Sequence, residues 1–376
     1  MRSPDRRNFL AASAALAASP ALAGDDKPVN VGFVGVGNRG SSLLKSMLTL
    51  PNVRIAAVCD INPDASKRAA ETIAKAGQPM PFVTADWKDL LARADVSAVV
   101  SAIPIDLHAQ NYLDAIAAGK DLYGEKPMCL TVAECDAVMK AAKASDRIVQ
   151  IGFQRRANPF FQNAMTAVHA GELGELVEGR IAWSNAWGPL GDWFGKRERS
   201  GDWMLEQACH NWDVLNWAMK GIPVRAMGMG RDGLFKGFQA DRTVTDYYSA
   251  LVEYPNGVIV NILHSWVVPG QAGKFNPAFN FEYTQLTGVA AGVDFNSGTI
   301  SYRKESNKAD RKIEGKFESN DATARSLAAF LNSVRTRQAP VATVDHGKDA
   351  VLACLLVRKA VYERRAVTMK EVVAQG

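Results

Sequence analysis

Apolar positions in the first 150 residues follow two alternating rhythms. Short strand-like runs fall at Val29 to Val34, Ile55 to Val58, Val96 to Ile103, Asp121 to Tyr123 and Ile148 to Phe153. Between them, apolar residues recur at helical spacing, as in Leu43, Leu44, Met47 and Leu48. Ala65 to Ala76 is helical until Gly77-Gln78-Pro79 breaks it, and Asp86 to Ala94 and His108 to Ala118 repeat the pattern. Thr131, with Glu134 three positions on, predicts a capping box that opens a further helix. Val96 to Ile103 is apolar throughout, as expected of a strand buried on both faces. Regular alternation of strand and helix predicts a doubly wound parallel sheet.

After Gly152 the pattern changes. Val177 to Trp183, Val224 to Met229, Asp246 to Tyr254, Val258 to Trp266, Phe279 to Thr287 and Gly298 to Tyr302 read as strands. Pro255-Asn256-Gly257 predicts a hairpin turn between two of them. Two helices, Asp321 to Arg337 and His346 to Arg364, close the chain. The fold class predicted is α/β followed by α+β, the second part built on a large, mainly antiparallel open sheet. One face of such a sheet needs helices over it, and the other needs solvent or a second subunit. The 376 residues divide into domains at 28–150 and 151–376, behind a leader at 1–23.

Composition changes this picture little: 47% hydrophobic and 22% charged residues are ordinary for a globular chain. The formal charge of +5 owes part to Arg2, Arg6 and Arg7 in the leader, and no basic run points to nucleic acid. The leader itself is informative. Arg6-Arg7-Asn8-Phe9-Leu10 precedes an Ala/Leu-rich stretch and a small-x-small site at Ala21-Leu22-Ala23. It resembles a twin-arginine signal, which implies export of the folded protein to the periplasm and no membrane attachment after cleavage. Five scattered cysteines form no metal-binding or disulfide spacing, so neither a metal nor a disulfide framework is expected.

The chemistry begins where the first strand ends, in Gly35-x-Gly37-x-x-Gly40. Gly35 permits a tight turn, Gly37 lets the backbone approach a pyrophosphate, and Gly40 lets the helix pack on the strand. Free N–H groups at the helix start suit phosphates, with Asn38 and Arg39 beside them. Asp60 ends the second strand, twenty positions after Gly40, where a carboxylate accepts from the adenosine ribose and repels a 2′-phosphate. The expected cofactor is NAD, with NADP less favoured.

Further motifs resemble a known family. Gly35 to Gly40, Pro104 with His108, Ala118-Gly119-Lys120, Glu125-Lys126-Pro127, and Glu206-x-x-x-His210-x-x-Asp213 look like the glucose–fructose oxidoreductase/inositol dehydrogenase (Gfo/Idh/MocA) family, from about Val29 to Val367. The resemblance implies a Rossmann domain followed by a domain with a large open sheet. It also implies hydride transfer between NAD(P) and a carbohydrate or cyclitol hydroxyl. Gly35, Gly37, Asn38, Arg39, Gly40, Asp60, Pro104, His108, Glu125 and Lys126 are the expected cofactor contacts. His210 is the expected general base, aided by Lys126, whose pKa a nearby nicotinamide cation or desolvation would lower. Glu206, where the family more often has aspartate, would orient the substrate from the same helix face as His210. Ile103 stands where the family often has threonine. His108 is either a structural residue or a neighbour of the nicotinamide.

Arg156, Trp187, Trp203 and Asp213 are the candidate substrate contacts. Gln154-Arg155-Arg156 falls at the domain junction, where one arginine would bind hydroxyls and the other pair internally. Trp183, Trp187, Trp193 and Trp203 offer aromatic faces for a sugar ring. Three functions fit. The first is an NAD(P)-dependent oxidoreductase of CH–OH groups in a sugar, glycoside or cyclitol, with tightly held cofactor. The second is an NAD-dependent glycosidase that oxidises, eliminates, hydrates and reduces; that branch commonly carries G-x-G-x-R-G and twin-arginine leaders. The third is a non-catalytic sugar-binding or sensor protein. A homo-oligomer, dimer or tetramer, formed through the C-terminal sheet is expected.

Overall fold

The computed structural model describes residues 27–374 except Trp187, Pro189, Asp192, 270–278 and Asn280. The leader and Trp187 therefore lie outside the described residues.

The first domain alternates as its pattern predicts. Its elements run β1 (Val29–Val34), α1 (Asn38–Met47), β2 (Val53–Cys59), α2 (Pro63–Lys75), β3 (Phe82–Thr84) and α3 (Trp87–Leu91). Then follow β4 (Ala98–Ser101), α4 (His108–Ala117), β5 (Asp121–Gly124), α5 (Val132–Ala144) and β6 (Val149–Ile151). All six strands are parallel, in the order β3-β2-β1-β4-β5-β6. The order reverses between β1 and β4, and open α/β sheets bind ligands at the carboxyl edge of such a switch point.

Local signals set the helix starts. Asn62 accepts from the Asp64 and Ala65 N–H groups at the start of α2 (3.0 and 3.3 Å). At α5 the capping box forms: Thr131 Oγ1 accepts from Glu134 N (3.2 Å), and Glu134 Oε2 accepts from Thr131 N (3.0 Å). Helix α1 buries Leu43, Leu44 and Met47 against the sheet, each worth roughly 1.5–3 kcal/mol of transfer free energy.

The second domain begins with α6 (Pro159–His169), which the apolar pattern did not reveal, then β7 (Leu176–Ser184). Three helices follow: α7 (Arg197–Ser200), α8 (Trp203–Glu206) and α9 (Cys209–Met219). The sheet continues with β8 (Arg225–Arg231), β9 (Tyr247–Glu253), β10 (Ile259–Ser265), β11 (Phe281–Gly288), β12 (Ala291–Asp294), β13 (Thr299–Tyr302) and β14 (Arg311–Lys312). Helices α10 (Ser319–Thr336) and α11 (Val344–Glu363), strand β15 (Val367–Thr368) and α12 (Met369–Val373) complete the chain. The nine strands lie in the order β14-β13-β12-β11-β7-β10-β9-β8-β15. Every neighbouring pair is antiparallel except β7 with β10. The expected hairpin joins β9 to β10, with Glu253 opposite Ile259.

The boundary at 151 does not close the first domain. Helix α10 returns to it and inserts Leu327, Phe330 and Leu331 into the core of Val31, Phe33 and Leu44. Phe330 meets Tyr123 edge-on with ring centres 5.8 Å apart. Gln150 on β6 donates to the Ser326 carbonyl (3.0 Å). Helix α10 thus ties the second part of the chain to the first sheet.

Candidate active site

Gly35 has φ +81°, and a Cβ there would lie 2.4 Å from the Ala102 carbonyl oxygen. A Cβ on Gly40 would lie 2.0 Å from the Gly35 carbonyl oxygen. Helix and strand meet too closely at both points for any larger residue. Gly37 differs: a Cβ there would find no atom within 4 Å. It faces open space as the N-cap of α1, with no side-chain cap on the first N–H groups. An open, donor-rich cradle at a helix start fits a pyrophosphate. Asp60 completes it, with Oδ2 accepting from Val36 N and Oδ1 from Asn62 N, both at 2.8 Å. The residues present therefore fit a dinucleotide.

A cleft of about 800 Å³ runs from this cradle to the second domain. Gly35, Gly37, Asn38, Arg39, Asp60, Pro104, His108, Glu125 and Lys126 line it, while Gly40 sits behind the turn. Trp193, Phe194, Arg199 and Glu206 face them from the other side. The cleft walls are cross-braced: Arg199 pairs with Asp106 at 2.9 Å, a contact between residues 93 positions apart that no local pattern announces.

The loop after β5 is held from several directions. Buried Glu125 receives the Arg39 guanidinium at 2.8 Å, and Tyr112 donates to the Glu125 carbonyl (2.7 Å). His108 is buried, its Nδ1 2.8 Å from the Pro127 carbonyl and its Nε2 3.0 Å from the Ile103 carbonyl. Burial lowers its pKa against the pull of both carbonyls, and a neutral ring donates to only one of them. His108 thus braces two loops while forming part of the cleft wall. The Lys126–Pro127 peptide is cis.

Lys126 reaches across to the second domain. Its Nζ donates to the Glu206 carbonyl (2.7 Å) and to Glu206 Oε1 (2.8 Å). Burial alone would lower its pKa, but Glu206, Cys209 and Glu125 outweigh it and the net shift is upward. Contrary to the expectation of a depressed lysine, Lys126 beside Glu206 is a firm ammonium. His210, 9% exposed, has its Nδ1 buried without a partner among the described residues. Its pKa is driven well below the ordinary value, first by burial and then by the charges of Lys126, Arg155 and Arg39. His210 is not among the residues that line the cleft, but the Lys126 charge at the cleft wall acts on its buried ring.

The single helix expected to carry both Glu206 and His210 is interrupted by Gln207 and Ala208, which keep right-handed helical backbone. Helix α8 ends at Glu206 and α9 starts at Cys209. Gln207 holds the break: its Oε1 accepts from His264 Nε2 (3.1 Å) and Trp266 Nε1 (3.2 Å), while Tyr248 hydroxyl and His264 Nδ1 lie 3.1 Å apart. Nothing in the local sequence marks Gln207, because its partners lie on β10 and just beyond it.

Three candidate substrate contacts fall elsewhere. Trp203 is fully buried, its Nε1 donating to the Thr245 carbonyl (2.8 Å), so its ring faces the protein and not a sugar. Arg156 and Asp213 form a buried ion pair (Nε to Oδ1 2.8 Å, Oδ2 3.1 Å) under Trp217. Burial raises Asp213 to about 6 despite that partner. Both border a separate cavity of about 270 Å³ with His169 and His346. Of the two neighbouring arginines, Arg155 is the one whose charge acts on His210, and it pairs with Glu282 at 2.7 Å. Trp193 lines the cleft, as does Trp87 from the first domain, and Trp183 stacks on His264.

Fold and cleft together define a Rossmann-type dinucleotide-binding domain joined to a second domain with a nine-stranded sheet. Residues 29–153 match the oxidoreductase family, NAD-binding Rossmann fold (GFO_IDH_MocA), and residues 161–285 match the GFO/IDH/MocA C-terminal domain. The chain belongs to the Gfo/Idh/MocA family. It is 34% identical to a glycosyl hydrolase family 109 protein of Streptomyces niveus over 164 residues, 42% of this chain and 33% of that protein. Only about a third of that relative's length is therefore matched. Among solved structures, levoglucosan dehydrogenase in complex with NADH is similar with TM-score 0.77 and 16% identity, covering 91% of this chain and 99% of that one. Myo-inositol 2-dehydrogenase from Lactobacillus plantarum is similar with TM-score 0.74 and 19% identity over the same shares. At these identities the solved structures speak to fold alone.

Proposed function

We propose that this protein is an NAD-dependent oxidoreductase acting on a secondary hydroxyl of a sugar, glycoside or cyclitol. The observation that carries the proposal is the Lys126–Glu206 bridge at 2.8 Å. It brings the strand edge beside the glycine cradle against the helix pair that carries His210. When bound, NAD would supply the two-electron acceptor. Neutral His210 takes the hydroxyl proton as the carbon becomes a carbonyl. The Lys126 ammonium donates a hydrogen bond to the same oxygen and stabilises its developing negative charge. Glu206 keeps Lys126 charged and in place. Asp60 supports NAD over NADP, because its carboxylate borders the cleft where a 2′-phosphate would bring like charge.

A second reading is a glycosidase in which the same base and ammonium serve oxidation, elimination of the glycosidic substituent, hydration and reduction. The match to a glycosyl hydrolase family 109 protein favours it. One experiment separates the two: NAD-loaded protein is mixed with free sugars, cyclitols and aryl glycosides, and cofactor reduction and aglycone release are followed separately. Reduced cofactor without aglycone supports the first reading, and catalytic aglycone release without net reduction supports the second. Neither signal from any compound would overturn both.

The Arg6-Arg7-Asn8-Phe9-Leu10 leader supports export of the folded protein to the periplasm with its cofactor inside. An exposed apolar stripe on β8, β9 and β10 (Met227, Met229, Leu251 and Ile259) supports a homo-oligomer formed through the second sheet.

A further inference from the structure

Between β7 and α8 the chain lays Trp193, Phe194 and Arg199 along the cleft. Ring stacking, an ion pair and backbone bonds fix this stretch to the second domain. Phe194 stacks on Trp266 with ring centres 5.1 Å apart, and Thr243 N donates to the Gly195 carbonyl (2.9 Å). Lys196 pairs with Asp241 at 2.9 Å, and Arg197 N donates to Thr243 Oγ1 (2.8 Å). The stretch is therefore an arm of that domain and moves with it.

The first domain meets the arm at Asp106. This residue sits in the 3₁₀ turn Ile105–Leu107 between β4 and α4, beside the point where the strand order reverses. Ile105, Leu107 and His108 around it line the cleft opposite the arm. Asp106 Oδ2 accepts from Arg199 Nε at 2.9 Å, while Oδ1 is buried and has no partner among the described residues. The two side chains keep 24% and 38% of their surface in water. The second tie between the walls, Lys126 with Glu206, is more deeply buried, at 12% and 17%. The cleft that begins at the glycine cradle is thus spanned twice, and water reaches the Asp106–Arg199 span more readily.

We propose that the Asp106–Arg199 pair is a latch on cofactor exchange. The arm parts from the first domain when the pair breaks, and the frequency of that parting sets how fast NAD enters and leaves. A partly exposed ion pair holds only a few-fold, which suits a contact that must open at every exchange. Both partners belong to the protein, so the latch closes free and loaded protein alike. Breaking it raises entry and exit rates together and moves affinity little. A direct cofactor contact behaves otherwise, since its loss speeds exit alone and weakens affinity. The proposal rests on the dinucleotide site and not on the substrate assigned above.

Stopped-flow fluorescence of NADH tests the latch. Entry is followed on mixing protein with NADH, and exit on chasing NADH-loaded protein with excess NAD. Asp106→Asn and Arg199→Gln should each raise both rate constants by at least about threefold, with Kd changed by less than about twofold. The double variant should be no faster than either single one, because the second change finds the pair already broken. Should a variant fail to fold, salt supplies the check: exit from the wild type should accelerate between low and molar chloride as the pair is screened. Unchanged rates in the single variants, additive accelerations in the double one, or exit indifferent to salt overturns the latch. Faster exit with unchanged entry overturns it as well, and makes Arg199 a cofactor contact. Absence of turnover on every sugar would overturn the enzymatic reading and leave these rates standing.

Discussion

His210 is surrounded by conditions that disfavour its protonated form: burial first, then the cations of Lys126, Arg155 and Arg39. A protonated imidazole cannot accept a proton, so activity is lost only when pH falls through the histidine's own pKa. Since that pKa is depressed, the acid limb of kcat/KM should lie clearly below the ordinary histidine value of about 6.5. A limb at or above that value would remove His210 from the role of base. Asp213 and Arg156 make the opposite case, of charges kept for structure. Removing one partner of a buried pair strands the other, so Asp213→Ala should destabilise the protein by about 3–5 kcal/mol, read from denaturant melts. A variant that melted normally but bound substrate poorly would restore Asp213 to the site. The glycine turn was legible in sequence because its requirements are local: a positive φ at Gly35 and a sub-van-der-Waals approach at Gly40. The choice between Arg155 and Arg156 was not. They are neighbours in one 3₁₀ turn, and each is assigned by an acid far along the chain, Glu282 or Asp213.

At the scale of elements, the turn between α8 and α9 separates Glu206, the last residue of one helix, from His210 in the first turn of the next. Gln207 turns inward and accepts from His264 and Trp266, leaving Glu206 to meet Lys126. Gln207→Ala would leave two buried donors without an acceptor and should lower stability by about 1–3 kcal/mol in urea unfolding, with Gln207→Glu recovering most of it. Equal stability of the Ala and Glu variants would mean that the network does not hold the break. Helical spacing in the sequence hid this because period alone cannot register a two-residue interruption whose cause lies on another strand. The capping box of α5 and the hairpin between β9 and β10, both closed within a few residues, were readable in advance.

On the scale of the whole molecule, alternating strand and helix made the first sheet predictable and its order followed from chain topology. The return of α10 was not predictable: an amphipathic stripe of Leu327, Phe330 and Leu331 shows that a helix is buried, not which sheet it covers. The second sheet keeps helices over one face and exposes Leu251 (48%) and Met229 (68%) on the other. Sedimentation should therefore give a mass of two or four chains, and Leu251→Glu should shift it toward one. A wild-type monomer would exclude that face as an interface. The central claim is that Lys126 and His210, from two domains, act on one substrate hydroxyl beside the glycine cradle. Steady-state turnover of His210→Ala, measured with NAD binding on the same sample, tests it most directly. A fall in kcat of at least about 100-fold with unchanged NAD affinity is the result predicted; turnover retained within a few-fold would contradict it.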